Sequence, residues 1–124
     1  LYFENFNQIF DHLYEIINEN KSLSSNILNL SNFIGNFNND QFKVFLSLIK
    51  FIFINITKIN LGIKTKDFLI SDLSKSLYNL SKKLDNKVTL KILTYLSNNE
   101  KDLFTFNLDK KVFILNMFSH LSKI

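Results

Sequence analysis

Between Phe42 and Ile56 the chain reads FKVFLSLIKFIFINI, and this stretch constrains the possible folds most tightly. On a helical wheel Phe42, Phe45, Leu46, Ile49, Ile52, Phe53 and Ile56 share one face, and Val44, Leu48 and Phe51 extend it. Only Lys43, Ser47, Lys50, Thr57 and Lys58 are left as a strip for water. A helix apolar over more than half its circumference has to be covered on two sides, which predicts a central helix from about Asp40 to Leu61 in a bundle. A bilayer is the rival cover, but a span needs about 20 apolar residues. The run from Val44 to Ile56 is shorter, and Lys50 at its middle would cost roughly 2.5 to 3.5 kcal/mol in a membrane centre. A buried helix with no membrane partner is therefore expected.

The flanking sequence repeats the helical period rather than the alternation of strands. Phe3, Phe6, Phe10, Leu13 and Ile17 form a stripe on a first helix, about Tyr2 to Asn20, with Glu4, Gln8, Asp11, Glu15 and Glu19 opposite. The acids Glu4, Asp11, Glu15 and Glu19 also break up any signal-peptide core. A short second helix carries Ile27, Leu30 and Ile34, with Ser24 or Ser25 as its cap and Gly35 as a left-handed stop. Asn39 or Asp40 is expected to cap the third helix and Gly62 to end it. Thr65 suits the cap of a fourth, from about Lys66 to Asp85, with Leu69, Leu73, Leu77, Leu80 and Leu84 inward. A fifth is expected over about Lys87 to Phe104, weakest at Asn98 and Asn99. Asn107 then caps a sixth that buries Ile114, Leu115, Phe118 and Leu121 and exposes Asn116, Ser119 and Lys123. The expectation is one all-α domain over residues 1–124, a compact bundle of about six helices.

Composition supports a globular chain: of 124 residues, 46% are hydrophobic and 14 are Phe. Arg, Ala, Pro, Trp and Cys are absent, as AT-rich codons would give, so the net charge of +4 is carried entirely by lysine and reflects codon bias as much as partner choice. Without Cys there is no disulfide framework or thiolate metal site, and a reducing cytoplasm is the default location. Leu1 stands where an initiator Met would, already inside a helical pattern, and the chain is read as the C-terminal fragment of a longer protein.

Chemistry is hard to find. The two histidines, His12 and His120, lack ligand partners at one-turn spacing and read as surface residues. No exposed turn sets a nucleophile beside a base, and both glycines sit where helices must stop rather than in a phosphate-cradling loop. Asp67 and Asp72, five apart, read as a first-turn dipole partner and a solvated side chain rather than a general acid and base. No cofactor, metal or small-molecule ligand is expected. Charge is uneven: five acids and one lysine precede residue 41, and 14 lysines with six acids follow. Lys82, Lys83, Lys87, Lys91, Lys110 and Lys111 are the candidates for touching nucleic acid. They are read as a solvated surface giving weak, salt-sensitive binding at most, because aromatic residues able to stack on bases fall in the buried stripes.

The order of elements carries one resemblance. The run Phe68-Leu69-Ile70-Ser71-Asp72-Leu73 to Leu84, the helix from Lys91-Ile92-Leu93 through Leu103-Phe104, and Asn107-Leu108-Asp109-Lys110-Lys111-Val112-Phe113-Ile114-Leu115 to Leu121 resemble the C-terminal helical domain of the delta-prime subunit of the bacterial DNA polymerase III clamp loader. The similarity runs from about Phe42 onward; the first 40 residues depart from it. It implies a non-catalytic collar domain that packs beside the helical domains of the gamma/tau and delta subunits, closing the ring that loads the sliding clamp during replication. DNA would then be met only through the complex. The family's AAA+ domains, and the arginine it offers to a neighbouring ATPase site, have no counterpart in a chain without Arg. Val44, Leu48 and Phe51, on the second face of the central helix, are the candidate interface; burial beneath a neighbouring helix of the same chain is their alternative. The other readings are a helical interaction domain of another multisubunit machine and a lysine-rich helical nucleic-acid binder.

Overall fold

The computed structural model describes residues 6–19, 25–63 and 71–121. Within them lie α1 (Phe6–Glu19), α2 (Ser25–Gly35), α3 (Asn39–Asn60), α4 (Ser71–Ser81), α5 (Asn86–Thr105) and α6 (Lys110–Phe118), followed by a 3-10 turn over Ser119–Leu121. No strand occurs among the described residues, so the fold is all-α. None of these helices is long and apolar enough to cross a membrane.

Three helices start where a side chain takes up an orphan backbone N–H. Asn38 caps α3, accepting from the Gln41 N–H at 2.8 Å while Gln41 Oε1 accepts from the Asn38 N–H at 3.0 Å. This reciprocal box displaces the cap from the expected Asn39 or Asp40, because only Asn38 has a glutamine three residues on to return the bond. Asp85 caps α5 through Val88 N–H at 3.0 Å, and Asp109 caps α6 through Val112 N–H at 3.1 Å. Each such cap is worth about 1 kcal/mol. The Asp85 cap also shortens the expected fourth helix, since a residue spent on starting α5 cannot continue α4. Thr65 and Ser24 lie outside the described residues.

Helix ends correct the reading of two residues. Gly62 stops α3 as expected: at φ +74° it lets Ile63 N–H reach the Lys58 carbonyl at 3.0 Å and its own N–H reach Ile59 at 3.0 Å. Gly35, in contrast, is not left-handed. It belongs to α2, and the chain leaves through a tight turn closed by Phe37 N–H on the Ile34 carbonyl at 2.9 Å. Asn107 takes the left-handed role after α5 at φ +50°, with Leu108 N–H on the Leu103 carbonyl at 2.9 Å. It is the stop of α5 rather than the cap of α6.

In space the helices neighbour one another in the order α1, α2, α6, α5, α3, α4. All seven residues of the predicted face of α3, from Phe42 to Ile56, are fully buried. The α4 and α5 helices flank this face, and Phe42 reaches further, with its ring centroid 6.2 Å from those of Phe104 on α5 and Phe113 on α6. Leu13 and Ile17 of α1, Ile27, Leu30 and Ile34 of α2, and Leu77, Leu80 and Leu84 in and after α4 fill the same core. Ile9 and Ile16 join them, as do Phe113 and Met117 of α6, four positions the stripe reading passed over. Ile114, Phe118 and Leu121 are buried as expected, whereas Leu115 is only half buried. The side chains of Phe3, Phe6, Leu69 and Leu73 lie outside the described residues.

Candidate interaction surfaces

Buried polar side chains are the usual raw material of a catalytic centre, and here they are spent on the helices themselves. Ser31 donates to the Leu28 carbonyl at 2.9 Å, Asn55 to Phe51 at 2.8 Å and Ser81 to Tyr78 at 2.6 Å. Thr89 bonds Asn86 O and the Thr57 hydroxyl. Among the described residues no buried polar side-chain atom lacks a partner, and no three His, Asp or Glu converge as a metal site. His12 is half buried on α1, and His120 lies against Tyr95, ring centroids 5.6 Å apart. Burial pushes the Tyr95 hydroxyl above its ordinary value, against a smaller opposing pull from a hydrogen bond with Asn116. Asp67 and the side chain of Asp72 fall outside the described residues.

Surfaces remain. On α3 the candidate set divides: Val44 and Leu48 are half buried, with Leu48 packed against the core, while Phe51 keeps 41% of its surface exposed. Ile54 is equally exposed, so the apolar strip facing water is Phe51 and Ile54, flanked by Lys43, Ser47 and Lys58. Two residues expected in the solvent strip turn instead toward α5. Lys50 pairs with Glu100, and Thr57 Oγ1 bonds Thr89 Oγ1 at 2.8 Å. The cause is rotational: placing Phe53 and Leu46 in the core swings positions 50 and 57 onto the α3–α5 seam. Ile54 was hidden from sequence reasoning because it closes the unbroken apolar run Phe51-Ile52-Phe53-Ile54, within which apolar character alone does not tell an inward residue from an outward one.

A second surface surrounds the α4–α5 turn. Lys75, Tyr78, Asn79, Lys82 and Lys83 share the outer face of α4 and its end, and all are exposed. Lys87 and Lys91 continue this exposure one turn apart on α5. The stacking residues are therefore not all internal: Tyr78 is 52% exposed, with Lys82 Nζ 4.6 Å from its ring centroid. Tyr78 could have been found from spacing, since it shares a three-to-four repeat with Lys75 and Lys82 and follows the inward Leu77 directly. Lys110 and Lys111 lie apart on α6, with Lys110 Nζ 5.9 Å from the Phe42 ring centroid.

Compared with protein-family models, with curated proteins and with solved structures, the chain matches none of them.

Proposed function

We propose that this chain is a non-catalytic assembly domain, the collar of a delta-prime-like subunit of the DNA polymerase III clamp loader, working in the cytoplasm beside the gamma/tau and delta subunits. The helical order from α3 to α6 supports this reading. So does the way the interior polar groups are used up inside the fold, leaving surfaces as the place where work is done. The observation that carries it is the partly exposed apolar strip on α3, where Phe51 and Ile54 each keep 41% of their surface exposed on the helix that otherwise forms the centre of the core. Large apolar side chains grouped on one exposed face are a common mark of a protein contact. In a collar, that strip would lie against a helix of the adjacent subunit, with Val44 and Leu48 at its edge.

Native mass spectrometry of the chain mixed with the gamma/tau and delta subunits of the same organism tests this directly. A heteromeric subcomplex that Phe51→Asp and Ile54→Asp together abolish is the expected result, with no ATP hydrolysis by the chain alone. Persistent monomers at tens of micromolar, beside partners that assemble normally, would remove the collar reading and leave the helical interaction domain of another complex.

A further inference from the structure

From the surface around the α4–α5 turn we infer that this chain binds single-stranded nucleic acid directly, with Tyr78 stacking on a base and Lys75, Lys82, Lys83 and Lys87 on the phosphates beside it. The charge there is concentrated. Between Lys75 and Lys91 the chain carries five lysines, and its one acid is Asp85. That carboxylate is already committed to capping α5, accepting Val88 N–H at 3.0 Å. The lysines are exposed, and among the described residues the ion pair formed is Lys50 with Glu100, which involves none of them. By comparison, the α5–α6 corner sets Lys101, Lys110 and Lys111 against Glu100, Asp102 and Asp109, as many acids as lysines even with one acid at each corner serving as a cap, so no such field builds up.

Geometry then selects the strand. Lys75 lies one turn before Tyr78 on α4, and Lys82, in the turn just past the end of that helix, sets its Nζ 4.6 Å from the Tyr78 ring centroid, so the ring has a lysine on either side of it in the chain. A convex helix face with one aromatic between two cationic points offers a ring to a base and ammonium groups to the phosphates on either side. Stacking of this kind needs an unpaired base, because paired bases present edges in the grooves rather than faces. Lys82 sits over one face of the Tyr78 ring, and the ring still keeps 52% of its surface exposed. Beside it, Asn60, Lys83, Asp85 and Asn86 line an open polar recess at the same corner. An anionic membrane would answer the charge equally well, but the tyrosine is a single ring on a polar helix face and not the apolar stripe that an interfacial helix buries. No acid–base or transfer chemistry is involved.

Fluorescence anisotropy of the purified chain with labelled oligothymidine, in the absence of any partner protein, decides the matter and is independent of the collar reading. With three or four phosphates neutralised, affinity should fall roughly 20- to 50-fold between 50 and 200 mM salt. Tyr78→Ala should weaken binding about tenfold, while Tyr78→Phe keeps it, as expected for a stacking ring. Lys82→Glu with Lys83→Glu should weaken it further. All of these positions are exposed, and an unchanged circular dichroism spectrum confirms each variant's fold. The inference is overturned if oligothymidine does not bind at 50 mM salt, if Tyr78→Ala binds like the parent, if a duplex of equal length binds as tightly, or if phosphatidylserine vesicles capture the chain and oligothymidine cannot displace it.

Discussion

The seam between α3 and α5 and the seam between α2 and α6 are both extensive, yet they are built differently. Along α3–α5 the apolar contact is bordered by polar ties: Lys50 with Glu100, Thr57 with Thr89 at 2.8 Å, and Asn60 Nδ2 on Asn86 Oδ1 at 3.1 Å. Along α2–α6 the helices come close by having little between them, since a Cβ placed on Gly35 would sit 3.7 Å from Lys111 Cβ. The polar ties fix which turn of α3 meets which turn of α5, because a hydroxyl pair works at one register only. The apolar seam is held by shape, and its register follows from Ile27, Leu30 and Ile34 facing one way. Directional contacts thus specify more than they stabilise: a net hydrogen bond is worth about 1 kcal/mol and a partly exposed ion pair less.

Truncating the core should have the largest effect, and it should not distinguish the seams. Phe53 on α3 and Phe118 on α6 are both fully buried. Phe53→Ala and Phe118→Ala should each lower the unfolding free energy by about 3 to 5 kcal/mol through lost transfer energy and the cavity left behind. Urea denaturation followed by circular dichroism reads this. If one variant unfolded at the parent's midpoint, its seam would be peripheral and the two could not belong to one core.

The apolar faces were legible in the sequence because burial of Phe and Ile at three-to-four spacing has few alternatives. The face of α3 needed only its own residues, and the same holds for Leu77, Leu80 and Leu84 in and after α4. What the sequence concealed was how each helix end is terminated and which way its flanks turn. Gly35 stayed helical and Asn107 became a left-handed stop because a glycine permits that conformation without requiring it, while asparagine tolerates it when the next cap, here Asp109, is already supplied. Likewise, Lys50 and Thr57 read as solvent-facing until the position of α5 is known. For the candidate surfaces, the lysines were visible, but the exposure of Tyr78 and Ile54 depends on the rotation of α4 and α3 against the core.

Exchanging the two glycines for alanine sharpens that point with an effect of opposite sign. Gly35 is helical, and an alanine methyl there would make ordinary contact with Lys111, so Gly35→Ala should stabilise by about 0.4 to 1 kcal/mol by restricting the unfolded chain. Gly62 has open space around it but sits at φ +74°, so Gly62→Ala should destabilise by about 1 to 2 kcal/mol. Melting temperatures of the two variants, measured side by side, should move apart around the parent. A loss in Gly35→Ala would mean that the α2–α6 seam is tighter than ordinary van der Waals contact.

The smallest effect belongs to Tyr95, where α5 meets α6. Its hydroxyl lies 3.5 Å from the Phe113 carbonyl, and its ring packs on Phe113 with centroids 5.2 Å apart. Burial raises its pKa above that of the unfolded chain, which means that the folded state prefers the neutral phenol and holds its proton longer as pH rises. Below the unfolded value, about 10, both states are protonated and this group adds no pH dependence. Above it the unfolded chain ionises first and gains free energy, so the stability associated with the neutral phenol is lost as pH climbs toward the folded pKa. The difference from Tyr95→Phe is the useful quantity, because it isolates the phenol from everything else that changes with pH. The variant keeps the ring and removes the ionisable group. Its stability relative to the parent should be flat from pH 7 to 9 and should improve above pH 10, measured by urea midpoints across that series. A difference that stayed constant through pH 11 would show the phenol to be as well solvated folded as unfolded, and the α5–α6 junction to be wetter than the α3–α5 seam beside it.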